Sequence, residues 1–391
     1  MQETPIMLSR QHAIALEHAT GAQLDALCEQ AAGVRDTHWP NTLTYSRKIF
    51  IPLTNMCRDT CGYCTFVKHP DSGQANILNP SQVLASVLKG QAQGCKEALF
   101  SLGEKPEKRY RYAKDWLATL GHTSMVDYLT EVCEMVLDKS LMIPHVNAGT
   151  LTFNELKQLK NVSGSMGMML ECTSDRLMKK GQPHYACPDK VPGIRLKTLE
   201  DAGKLDIPFT TGILIGIGET WEERVDSLMA INTLYQEYGH IQEVIVQNFR
   251  AKTGTAMANA PEPTLDDMRR TLAMARLILD PAISLQAPPN LAQEYPHYIA
   301  AGINDWGGIS PLTKDFINPE RSWPQITELA TACEQQGYAL QERLTVYPKY
   351  LQAGERYVTK ALHQAMPAWR NDGLAVEQCI DNTTFQGVAH G

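Results

Sequence analysis

Short apolar, β-rich runs alternate along this chain with longer amphipathic segments of helical spacing, and that alternation constrains its fold more than any other feature. Strands are predicted near Lys48–Pro52, Ala98–Leu102, Met142–Asn147, Gly167–Glu171, Phe209–Ile215, Glu243–Gln247, Ile283–Gln286 and Gly302–Ile309. Helical patterns lie between them at Pro80–Lys89, Thr123–Val136, Pro192–Ala202, Trp221–Tyr238 and Leu265–Leu279. Strand followed by helix, repeated, implies parallel strands joined by crossover helices. A doubly wound sheet and a closed barrel both satisfy that order. About eight units with no linker or composition break favour an α/β fold of the (β/α)8 TIM type. The 391 residues then divide into an N-terminal helical extension over 1–42, a barrel over 43–365 and a C-terminal tail over 366–391. The helical spacing of Ala22–Ala32 supports the first of these.

In such a barrel, functional groups lie at the C-terminal ends of strands and in the loops that follow. Cys57, Cys61 and Cys64 occupy that position after the first strand, in the spacing C-x3-C-x2-C. Three thiolates this close hold three irons of a four-iron cluster and leave the fourth iron open to a small molecule. The competing reading is a zinc site completed by His69. The other seven of the ten cysteines are scattered and read as small buried or surface thiols.

Polar residues recur at later strand ends. Glu104 sits in Ser101-Leu-Gly-Glu-Lys after the second strand, and Glu171 ends Met168-Met-Leu-Glu. Arg195 offers a planar donor fork suited to a carboxylate. Gly216 lies in a strand–turn–helix junction, Thr211-Gly-Ile-Leu-Ile-Gly-Ile-Gly-Glu219. His145 and Asn147, Asn248 and Arg250, and Asn304, Asp305 and Trp306 form three further sets, suited to hydrogen-bonding and stacking on a polyhydroxylated heterocycle.

Cys57-Arg-Asp-Thr-Cys61-Gly-Tyr63-Cys64 resembles the cluster loop of radical S-adenosylmethionine (SAM) enzymes, including the aromatic Tyr63 before the last cysteine. The resemblance implies a [4Fe–4S] cluster and S-adenosylmethionine, which chelates the open iron through its methionine amino and carboxylate groups. Electron transfer then cleaves the sulfonium to a 5′-deoxyadenosyl radical. It also implies cofactor contacts for Tyr63, Glu104, Glu171, Arg195 and Gly216, with Leu214 replacing the usual isoleucine of the Gly216 element. Segments 44–59, 208–220, 243–252 and 304–311 are similar to a branch of that family which closes the ring of a deazaflavin. Membership there implies a substrate, 5-amino-5-(4-hydroxybenzyl)-6-(D-ribitylimino)-5,6-dihydrouracil, and release of ammonia in coenzyme F-420 biosynthesis. The implied partners are an electron donor and a homologous radical subunit that joins tyrosine to 5-amino-6-(D-ribitylamino)uracil. That homologous subunit is itself a rival reading for this chain. A non-catalytic zinc or iron–sulfur binding protein is another.

The net charge of −7, with no basic block, argues against nucleic acid and anionic lipid as partners. With 43% hydrophobic and 20% charged residues, the composition is that of a globular enzyme. No basic segment followed by an apolar run opens the chain, and no stretch approaches the roughly 20 residues of a membrane helix. A reducing cytoplasmic setting is therefore expected.

Overall fold

The computed structural model describes residues 8–365. Nine parallel strands form one sheet: β1 (Thr42–Pro52), β2 (Glu97–Ser101), β3 (Ile143–Asn147), β4 (Ser165–Gly167), β5 (Phe209–Ile215), β6 (Ile241–Asn248), β7 (Ser284–Gln286), β8 (Asp305–Ile309) and β9 (Ala339–Glu342). The first eight close on themselves through β8–β1 and β1–β2 pairing, so the expected eight-stranded barrel forms. The ninth strand lies beside the first half of β1, where Leu43 pairs with Leu340, while β2 takes the second half, where Ile51 pairs with Phe100.

Local sequence explains why the elements fall where they do. All seven residues of β5 are buried, as a strand covered on both faces requires. The helix Trp221–Tyr238 has the bounds its pattern predicts because both ends are signalled. Thr220 and Glu223 form a capping box, and Gly239 stops the helix at φ +68°. At the N-terminal side, Gly21–His38 buries Leu24, Leu27 and Ala31 in the main core and packs against the helix Leu265–Ile278, with Asp25 pairing to Arg269 at 2.6 Å.

Three expectations shift. The fourth strand ends at Gly167, so Glu171 lies beyond it, held by a single bridge to Ile213. The eighth strand begins at Asp305 instead of Gly302, and β9 was not predicted. The expected tail over 366–391 lies outside the described residues.

Residues 343–347, after β9, close the N-terminal end of the barrel. Arg343 pairs with Asp305 and Glu243, and the Thr345 carbonyl accepts from Ser165 and Gln242. The Tyr347 hydroxyl meets Ser284, and Val346 packs with Ile143. Every one of these partners stands at or near a strand start. With that end sealed, the interior opens only toward the C-terminal ends. No helix among the described residues is long and apolar enough to cross a membrane.

Candidate active site

The cysteine loop leaves β1 at its C-terminal end and is stapled to its neighbours through backbone hydrogen bonds. Gly103 N–H donates to the Thr54 carbonyl at 3.0 Å, Arg58 N–H to Glu104 at 2.8 Å and Gly62 N–H to Pro183 at 2.7 Å. Gly103 is required for this close approach, because a Cβ there would lie 2.0 Å from the Met56 carbonyl oxygen.

Cys57, Cys61 and Cys64 line one cavity of about 370 Å³, a size usual for small-molecule sites. All nine cysteines of the described residues are free. The Cys57 sulfur accepts backbone N–H groups from Glu104 (3.2 Å) and Asp59 (3.4 Å). Burial pushes the Cys57 thiol up to about 12 and raises Cys64. A hydrogen bond with Cys187, together with burial, does the same for Cys61. These thiols keep their protons until a metal replaces them, as ligands of a tightly bound metal do.

A charged network surrounds the triad. Glu104 Oε1 accepts from Thr150 N–H (3.0 Å) and from Arg195 Nη2 (3.1 Å), while its Oε2 is buried with no partner. Burial pushes the Glu104 carboxyl up to about 7, against the pull of Arg195 and Lys190. Arg195 also donates through Nε to the Asp189 carbonyl (3.0 Å) and through Nη1 to the Met169 carbonyl. Three of its five N–H groups therefore go to the protein, one of them to Glu104. Glu171, in the left-handed region at φ +66°, accepts from Lys190 Nζ at 2.6 Å. Backbone strain of this kind persists where surroundings over-determine it, and here Glu171 N–H bonds Gly212 while its carbonyl receives Leu214 N–H. Asp59, Glu104 and Asp189 cluster within 4.8 Å, with Arg58 paired to Asp189 and Arg195 to Glu104.

Tyr63, Glu104, Glu171 and Arg195 thus share the cavity with the cysteines, as do His145, Asn147, Asn248 and Arg250. The Tyr63 hydroxyl bonds His184 Nε2 at 3.0 Å, Arg250 pairs with Glu262 at 2.8 Å, and Asn248 Oδ1 is buried without a partner. Gly216 does not line the cavity. It sits in a turn at φ +90° whose N–H donates to Glu219, and a Cβ there would strike Pro263.

Asn304, Asp305 and Trp306 do not line it either. They stand at the start of β8, the sealed end, because the strand begins at Asp305. Asn304 ties Arg276 and Ser284, Asp305 binds Arg343, and the Trp306 indole N–H points to Cys333. His69 is exposed and pairs with Asp71 and Tyr110, and it does not line the cavity. The zinc reading thereby loses its fourth ligand. Residues that sequence reasoning did not single out include Lys190, Asp189, Lys48, Glu243 and the stacked pair Phe50–Trp323, whose centroids are 5.2 Å apart. Long-range contacts place all of them, and only the predicted strand positions of Lys48, Phe50 and Glu243 carried any signal.

The donor set fits a site-differentiated cluster and its nucleotide. Three sulfurs, with backbone N–H groups on Cys57, share a cavity with a buried carboxylate oxygen of Glu104 that receives no donor.

Comparison with known proteins agrees with this geometry. Residues 51–231 match the Radical SAM superfamily. The chain is 49% identical over 313 residues to the 7,8-didemethyl-8-hydroxy-5-deazariboflavin synthase of Methanopyrus kandleri, covering 80% of this chain and 93% of that relative. It is also 49% identical over 365 residues to the FO synthase of Nocardia farcinica, covering 90% of this chain but 42% of the relative. The chain therefore spans less than half the length of the FO synthases it matches. Among solved structures, the [FeFe]-hydrogenase maturase HydG superposes with a TM-score of 0.70 at 18% identity, over 86% of this chain and 73% of that one. Methylornithine synthase (PylB) follows with 0.67 at 16%, over 85% and 94%. At such identities these two speak for the fold alone. The chain is a radical SAM enzyme, with a [4Fe–4S] cluster and S-adenosylmethionine as its cofactors, and it belongs to the 7,8-didemethyl-8-hydroxy-5-deazariboflavin synthase family.

Proposed function

We propose that this enzyme carries out the ring closure itself, converting 5-amino-5-(4-hydroxybenzyl)-6-(D-ribitylimino)-5,6-dihydrouracil to 7,8-didemethyl-8-hydroxy-5-deazariboflavin with release of ammonia. The observation that carries this reading is the 49% identity to a relative of that name, 93% of which the chain covers. The cysteine triad at Cys57, Cys61 and Cys64 fits one radical step, and the tyrosine-joining step is assigned to a homologous radical SAM unit. An electron donor and a cytoplasmic setting complete the proposal.

Cys57, Cys61 and Cys64 hold the cluster, and the open Oε2 of Glu104 takes the cofactor's ammonium group. Arg195 and the Thr150 N–H fix Glu104 from the other side. Glu171, anchored by Lys190, faces the same space and suits ribose hydroxyls. When bound, the cluster and nucleotide supply a one-electron carbon–sulfur cleavage and, through it, hydrogen-atom abstraction from the substrate. The protein supplies placement and exclusion of water. Apolar groups such as Phe50, Leu99, Leu214 and Phe249 wall the cavity and shield a reactive carbon centre, and Phe50–Trp323 offers a flat face for an aryl ring.

Anaerobic, reduced, cluster-loaded enzyme tests the reading when given SAM with either the adduct or tyrosine plus 5-amino-6-(D-ribitylamino)uracil. Deazaflavin fluorescence from the adduct alone is expected. Adduct formation from tyrosine, without deazaflavin from the adduct, would transfer the chain to the partner's role.

A further inference from the structure

The interior layer beneath the cavity departs from what a barrel of this type usually contains. Such interiors are filled by branched apolar side chains. Here Lys48, His145, Asn147, Thr210, Glu243 and Gln286 reach the cavity from five different strands. Glycines make the room. A Cβ on Gly308 would lie 2.2 Å from Lys48 Cε and 2.8 Å from its Nζ, and one on Gly167 would lie 2.3 Å from Asn147 Oδ1. Asn248 marks the mouth on β6, and Glu243 sits five residues earlier, about 16 Å down the strand.

Charge in this layer does not balance. Three buried carboxyls, Glu97, Glu243 and Asp305, share two cations, Lys48 and Arg343. Glu97 is well served: Lys48 Nζ lies at 2.6 Å and Ser46 Oγ at 2.5 Å, and against the upward push of burial these hold it below the usual carboxylate range. Asp305 receives two bonds from Arg343, at 2.6 and 2.8 Å, besides Thr44 and the Gly307 N–H. Glu243 is left with one arginine N–H at 2.9 Å and the Thr210 hydroxyl at 3.0 Å. Its remaining neighbours relieve it only in part. Asp305 opposes its charge, Lys48 is committed to Glu97, and burial pushes Glu243 up to about 7. Glu243 is thus the least paired of the three carboxyls and the one of them that lines the cavity.

We propose that the cavity floor seats the amine-bearing end of the substrate and that Glu243 is the carboxylate that receives the amine. This rests on the reading above, in which the substrate carries a 5-amino group. An ammonium or amine donor entering here supplies the missing positive charge, and the neutral His145 and Asn147 offer further hydrogen-bond partners to the same polar ring. Glu243 is then the specificity-determining residue that separates an amino-bearing adduct from its oxygen analogue.

Holoenzyme carrying cluster and SAM tests this by calorimetric binding of the adduct and of an analogue with hydroxyl in place of the 5-amino group. Wild type should prefer the amine about tenfold or more. Glu243→Gln, which keeps an acceptor for Arg343 and Thr210, should bind the adduct roughly ten- to a hundredfold more weakly and lose most of that preference, as removal of a buried charge-assisted hydrogen bond requires. Its cluster absorbance should match wild type. Retained preference in E243Q overturns the inference. So does a wild type that converts the adduct yet binds both compounds equally, a result that needs no variant to fold and leaves the proposed reaction standing. A wild type that neither binds nor converts the adduct overturns both.

Discussion

Replacing Gly149 by alanine should dislodge the Glu104 carboxylate, and the cost divides into two separable parts. Gly149 has φ +73°, a conformation that costs an alanine about 1–2 kcal/mol. The second part is collision. The new Cβ would lie 1.8 Å from Glu104 Oε1 and 2.1 Å from its Cδ, so the carboxylate must retreat by ~1.5 Å to reach ordinary contact. That movement breaks its bonds to Thr150 N–H and Arg195, charge-assisted contacts worth about 1.5–3 kcal/mol each. Gly337 provides the control, with φ +85° and nothing within 4 Å of a built Cβ. Gly337→Ala should therefore lose only the backbone part, about 1–2 kcal/mol, and keep its SAM affinity. Gly149→Ala should lose roughly 3–6 kcal/mol more in denaturant unfolding and bind SAM at least tenfold more weakly by equilibrium dialysis of the anaerobic holoenzyme. Equal behaviour of the two variants in both assays would refute the reasoning, because it would mean that Glu104 neither occupies this position nor serves the cofactor.

Other perturbations test other parts of the account. Serine at Cys57, Cys61 or Cys64 should abolish the four-iron content and cluster absorbance of reconstituted protein, whereas Cys187→Ser, which removes only the thiol beside Cys61, should retain both. Lys48→Met strands Glu97 as a buried uncompensated charge and should cost about 3–5 kcal/mol in denaturant unfolding. Because Glu243 in the ligand-free fold titrates near 7 and unfolded glutamate near 4.5, the native state binds more protons between those values. Stability should then fall as pH rises through that window, by up to roughly 3 kcal/mol from this group, and level off above it. E243Q should reduce that slope, leaving the part that Glu104 contributes over the same window; an unchanged slope would show that Glu243 stays ionised.

Much of the fold was legible because it is written locally. The seven-residue apolar run of β5 and the capped helix that follows it needed no distant partner to be recognised. The cysteine triad was legible for the same reason, since its spacing lies within eight residues. Other features depend on contacts remote in sequence. Arg343 reaches Glu243 across 100 positions, and no pattern near either residue announces the pairing or the seal that 343–347 form across the strand starts. Asn304, Asp305 and Trp306 read as a strand-end set from their residue types, although the strand expected over Gly302–Ile309 contains them. Once β8 is seen to begin at Asp305, the same three residues fall at the sealed end, where Arg276, Arg343 and Cys333 use them to hold the barrel together. Arg195 illustrates a third case. Its residue type suits a carboxylate ligand, and three of its five N–H groups go to protein acceptors, Glu104 among them, which only coordinates reveal.

Isotope transfer tests the proposed ring closure most directly. Adduct deuterated at every carbon is given to the reduced holoenzyme with SAM under anaerobic conditions, and the 5′-deoxyadenosine is weighed by mass spectrometry while deazaflavin is followed by fluorescence. The account predicts 5′-deoxyadenosine heavier by one deuterium, formed together with deazaflavin and ammonia. Unlabelled 5′-deoxyadenosine with no deazaflavin would contradict it.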